Sequence, residues 1–160
     1  MNIFKELLKE MGGFEELNKK LQEPQVSVQI NGCIDSQKCH IAYGLGETFD
    51  YRLIITYHDM KAKEIFEDYK LYEKNVFYYP AKDIIFYSAD IHGNTIVKDR
   101  ICVLKNILEK KSCTIVTTID AMMDLVLPLE FLEQNIITLN VGQEANITTL
   151  CKRLTALGYE

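Results

Sequence analysis

Val26-Ser27-Val28-Gln29-Ile30-Asn31-Gly32-Cys33-Ile34-Asp35-Ser36-Gln37-Lys38-Cys39-His40-Ile41-Ala42-Tyr43-Gly44-Leu45-Gly46 is the stretch whose reading decides the fold. Residues 26–30 alternate apolar and polar side chains, which predicts a strand. A glycine-led loop over 31–36 follows, and 37–45 reads as a helix. Strand, glycine loop and helix are the parts of a phosphate-binding loop, in which backbone N–H groups and a helix N-terminus meet the phosphates. The full motif is G-x-x-x-x-G-K-S/T, and the matching residues here run from Gly32 to Cys39. Gly32 and Lys38 are in place, but Gln37 replaces the second glycine and Cys39 the magnesium-binding hydroxyl. Gln37 brings a Cβ where the backbone must approach a ligand closely, and Asp35 adds negative charge beside it. A neutral thiol is also a poor ligand for hard Mg²⁺. Gly32, Ser36, Gln37, Lys38 and Cys39 therefore read as a degenerate remnant on which no cofactor is expected. Lys38 without its glycine reads as a solvated helix lysine rather than an anion site.

Working outward, 52–56 is a short apolar run without alternation, the pattern of a strand buried on both faces. It leads to the expectation that Leu53, Ile54, Ile55, Ile115 and Val116 are nearly inaccessible. His58-Asp59 starts a helix running to about residue 73, and 76–79 is a strand closed by Pro80. Residues 81–92 are irregular. Gly93-Asn94 opens the longest helix, with Asn94 as its N-cap and Val97, Ile101, Leu104 and Leu108 as its buried face. A strand over 113–117 follows, and Thr118 caps a helix over 119–125. Pro128 opens a helix over 129–134, and 136–139 reads as a fifth strand. Ahead of the loop, Ile3, Phe4, Leu7, Leu8 and Met11 share one helical face, and Phe14, Leu17 and Leu21 mark a second short helix. The alternation of strands and helices predicts an α/β domain: a parallel sheet flanked by helices, with right-handed crossovers.

The chain has 160 residues, a single-domain length, and a net charge of −5, which argues against a general phosphate-backbone binder. Its five cysteines (Cys33, Cys39, Cys102, Cys113 and Cys151) form no CxxC pair and match no zinc spacing, so buried free thiols in a reducing compartment and no metal are expected. No apolar run approaches the ~20 residues of a membrane span, and the N-terminus lacks a signal-peptide core, so a cytoplasmic location is expected. No catalytic residue is identified. His40, His58 and His92 stand apart, Asp83, Asp90, Asp99 and Asp120 form no carboxylate pair, and no serine sits in a nucleophile elbow. Tyr72, Phe77, Tyr78, Tyr79, Phe86 and Tyr87 carry no interleaved arginine, so they read as core aromatics rather than a base-stacking platform. Leu150, Leu154 and Leu157 form an apolar face on a helix over 148–159, an ending that suggests a piece of a longer protein.

From Tyr78 onward the order of features resembles the N-terminal region of the transcription-repair coupling factor family. The likeness rests on several segments in order. Tyr79-Pro80-Ala81-Lys82-Asp83 with Phe86-Tyr87 follows a strand, and Arg100-Ile101-Cys102-Val103-Leu104 lies on the next helix. Thr114-Ile115-Val116-Thr117-Thr118-Ile119-Asp120-Ala121-Met122 makes a strand-to-helix step. Pro128 and Phe131 come next, then Leu139-Asn140-Val141-Gly142 with Leu150, Leu154 and Gly158-Tyr159. The short helix ahead of the loop extends the resemblance back to Asn2.

The resemblance implies a RecA-like sheet of the kind found in the first domain of the excision-repair protein UvrB, with the phosphate loop decayed. It implies an N-terminal helical segment over 1–25 and a UvrB-like subdomain over 26–145. The opening helix of a UvrA-binding subdomain follows over 146–160. The parent protein is implied to be an ATP-dependent DNA translocase. Its downstream motors use ATP and Mg²⁺, and its partners are UvrA, RNA polymerase and double-stranded DNA. This region would then be a non-catalytic scaffold whose main contacts are the neighbouring subdomains. The competing reading is a divergent P-loop nucleotide hydrolase. It requires an acid at a strand end to hold Mg²⁺, and the strands over 53–56 and 114–117 end in threonine.

Overall fold

The computed structural model describes residues 3–82, 91–126, 128–157 and 159. They form two compact units, Met1–Leu125 and Val126–Glu160. The first holds helices α1 (Ile3–Lys9), α2 (Phe14–Leu21), α3 (Asp35–Gly46), α4 (Asp59–Tyr69), α5 (Ile91–Leu108) and α6 (Ile119–Met123). Its strands are β1 (Tyr51–Thr56), β2 (Val76–Tyr79) and β3 (Cys113–Thr118). The sheet has the order β1-β3-β2 and is parallel throughout. Tyr51 is opposite Cys113 and Thr56 opposite Thr118 on one side, and Val76 is opposite Thr114 on the other.

The crossover from β1 to β2 passes over β3, and the crossover from β2 returns to it. Right-handed connections running in opposite directions place their helices on opposite faces. The packing agrees. On the α4 face, Ala62 and Tyr69 meet Val76 and Val116, with Cys39 and Tyr43 of α3 beside them and Ile54 half-buried against the cluster. On the other face, Val103 and Ile107 of α5 meet Tyr79, Phe77 and Ile115. A third cluster joins Leu8 and Phe14 of the N-terminal helices to Ile41 and Leu45 of α3.

Two expected strands are not formed. Residues 26–30 lie outside the sheet and form no regular element, with Val28 and Ile30 exposed, so the strand–loop–helix unit is not the centre of the sheet. Residues 136–140 likewise belong to no strand. Alternation prepares a segment for pairing, but a strand exists only where a neighbour supplies the ladder, and among the described residues none borders these two segments.

The expected buried set is corrected as well. Val116, on the central strand, is fully buried, whereas Leu53 is 51% and Ile55 48% exposed, and Ile54 and Ile115 are half-buried. β1 is an edge strand whose α4 face is covered while its other face, carrying Tyr51, Leu53 and Ile55, is largely open. The long helix α5 begins at Ile91, so Asn94 lies inside it and is not its cap. It is also turned by one residue from the expected face. Arg100 and Val103 are buried, Val97 and Ile101 are exposed, and Leu104 and Leu108 are half-buried. Arg100 explains the turn. Its Nη1 donates to the Pro80 carbonyl and to Asp124 Oδ2, each at 2.8 Å, and its guanidinium lies over the Tyr79 ring. A buried arginine so paired escapes the desolvation cost that would otherwise expel it.

Caps follow the side-chain chemistry. His58 Nδ1 accepts from the Met60 amide at the start of α4, and Thr118 Oγ1 from the Ala121 amide at the start of α6. α4 ends at Tyr69, short of the expected residue 73. The thiols divide: Cys39 and Cys113 are buried and Cys33 is partly so, as expected of buried thiols, but Cys102 and Cys151 are exposed.

The second unit contains α7 (Leu129–Asn135) and α8 (Ile147–Ala156). Asn146 Oδ1 accepts from the Thr149 amide, capping α8. Leu150, Leu154 and Leu157 are half-buried, and neither helix holds a fully buried residue. Among the described residues no helix is long and apolar enough to cross a membrane.

Candidate functional site

In a parallel α/β sheet, ligands bind at the carboxyl ends of the strands, where the following helices begin. Here that edge gathers the first turns of α3 and α4. α3 starts at Asp35, two residues earlier than the glutamine from which the sequence predicted it. Ile34 stands at its N-cap without a side-chain cap, so the free amides of the first turn face outward. Gly32 adopts φ 82°, the left-handed conformation that favours glycine, and no atom lies within 4 Å of where its Cβ would be. Gly32 therefore supplies a left-handed turn ahead of α3, with open space around it.

The Asp35 carboxylate sits in that first turn. Lys38 Nζ, one turn along α3, donates to Asp35 Oδ1 at 2.9 Å, and Lys61 Nζ of α4 donates to Asp35 Oδ2 at 2.6 Å. Lys61 also holds Glu64 at 2.9 Å. Hydrogen bonds from Lys61, then Lys38, pull the Asp35 carboxyl down to about 2. The same bond to Asp35, followed by that to Glu64, raises Lys61. A side-chain anion therefore stands where the helix dipole and two ammonium groups would favour a phosphate. Lys38 is well exposed and reaches Asp35 within its own helix.

The other members of the remnant do not converge on this point. Cys39 is buried in the core beneath α3, and burial pushes its thiol up, away from the thiolate a metal would need. Ser36 and Gln37 are exposed on the first turn. The residues that bring the two helix starts together are Asp35 and Lys61. Lys61 is the one sequence reading missed, because it lies 26 positions away and on no motif.

Elsewhere the structure gives the singled-out residues ordinary partners. His40 Nε2 meets the Phe4 carbonyl at 2.6 Å and its ring stacks on Tyr72. His58 is a helix cap. Tyr72, Phe77, Tyr78 and Tyr79 pack into the sheet–helix clusters. Phe86, Tyr87, Asp83, Asp90, Gly158 and the His92 side chain lie outside the described residues. Thr56 and Thr118 end the two neighbouring strands, and Thr56 Oγ1 donates to the His58 carbonyl. None of the described strands ends in an acid.

The chain is similar to transcription-repair-coupling factors. That of Staphylococcus aureus strain USA300 is 22% identical over 163 aligned positions, spanning all of this chain and 14% of its own length. The UvrABC system protein B of Fervidobacterium nodosum is 34% identical over 98 residues, 61% of this chain and 14% of its own. That of Thermosipho africanus is 33% identical over the same extent. No protein-family model matches the chain. The chain thus spans about a seventh of the length of these curated relatives. The likeness is to a UvrB-like region shared by the two kinds of DNA-repair protein, and the coupling-factor likeness extends over the whole chain.

Proposed function

We propose that this chain is a non-catalytic module of a transcription-repair coupling protein, and that its decayed phosphate loop holds no nucleotide. The observation that carries the reading is the Asp35 carboxylate between Lys38 and Lys61 at the start of α3. A polyphosphate seated there would have to displace an anion already matched by two cations and then lie beside its charge. At 4 Å, two like charges in water repel by about 1 kcal/mol, and by several times that near a protein surface. Lys38 and Lys61 are already engaged by Asp35 and offset little of this, and the buried Cys39 offers no oxygen for Mg²⁺.

In this reading the sheet unit is a scaffold that presents the residues from about 146 onward, including α8, as the beginning of a UvrA-binding region. Translocation on double-stranded DNA, contact with RNA polymerase and ATP hydrolysis belong to other parts of the longer protein. The length of the coupling-factor likeness supports this over a role as UvrB itself.

Isothermal titration of the chain with ATP and Mg²⁺ tests the reading. No heat of binding is expected at millimolar nucleotide. A micromolar Kd that disappears in Lys38→Ala would overturn it in favour of a divergent P-loop nucleotide hydrolase.

A further inference from the structure

We draw no further inference here: the strongest candidate, the exposed apolar flank of edge strand β1 formed by Tyr51, Leu53 and Ile55, carries nothing because nothing in the structure shows what covers it.

Discussion

Truncating Leu53 should cost less stability than truncating Val116, although Leu→Ala removes three carbons and Val→Ala two. Both residues lie in the same sheet, on neighbouring strands, so strand propensity and distance from the chain ends differ little between them. Val116 is fully buried among Tyr69, Val76 and Ala62. Two buried carbons at about 0.8 kcal/mol each give about 1.6 kcal/mol of transfer energy. A cavity of a few tens of Å³ adds up to about 1 kcal/mol, so about 2–3 kcal/mol is expected for Val116→Ala. Leu53 is 51% exposed. Half of the transfer energy of three carbons is about 1.2 kcal/mol, and water fills the space left, so no cavity term applies. A compact unfolded state lowers the figure further, to about 1 kcal/mol or less. Urea unfolding of both variants at 25 °C, with equal denaturant slopes, measures the difference directly. A loss at Leu53 equal to or above that at Val116 would refute the reasoning, since it would mean that the outer face of β1 is buried.

The Arg52–Glu73 pair, at 2.6 Å with side chains 13% and 16% exposed, also holds Thr114 through Glu73 Oε2. Glu73→Ala should cost about 2–4 kcal/mol, slightly discounted from a fully buried pair, because it strands the Arg52 charge. Adding Arg52→Met should recover part of the loss in the same denaturation assay, and a double variant no better than the single would contradict this account. Gly44→Ala sets two effects against each other. Alanine favours the helix by about 1 kcal/mol, but its Cβ would lie 2.3 Å from Leu8 Cδ1 and 2.9 Å from Phe14 Cζ. Overpacking of about 1–3 kcal/mol should win, lowering Tm and loosening α1 and α2 to proteolysis, and a higher Tm would show that the N-terminal helices yield freely. Asp35 titrates well below an ordinary carboxyl because Lys61 and Lys38 hold it. A carboxyl depressed in the folded state stabilises above its unfolded value of about 3.9 and loses that contribution as pH falls toward its folded value. Asp35→Asn should therefore flatten the decline in stability between pH 4 and pH 2. The contribution is small and salt-sensitive because the pair is exposed, and an unchanged slope at low salt would disconnect Asp35 from acid unfolding.

The sequence by itself determined the α/β class and most of the element order. Gly32, Gln37, Lys38 and Cys39 can be set against the phosphate-loop motif by identity alone, because glycine, lysine and hydroxyl requirements attach to single residues. Pro80, Thr118 and the helical stripes of α1 and α2 were legible for the same reason: caps, breakers and periodicity act within a few residues. Only the tertiary structure decided which apolar segments become strands and which faces are covered. Residues 26–30 alternate as well as any strand does, yet they border none among the described residues, and a ladder needs two partners. Leu53 and Ile55 look like core, but whether a strand lies at an edge is a property of the assembled sheet. On α5, two stripes compete, and Arg100 tips the choice through Pro80 and Asp124, which lie 20 and 24 positions away. Lys61 reaches Asp35 across 26 positions in the same way. Pairings of that range carry no local signal, because only the fold sets their distance.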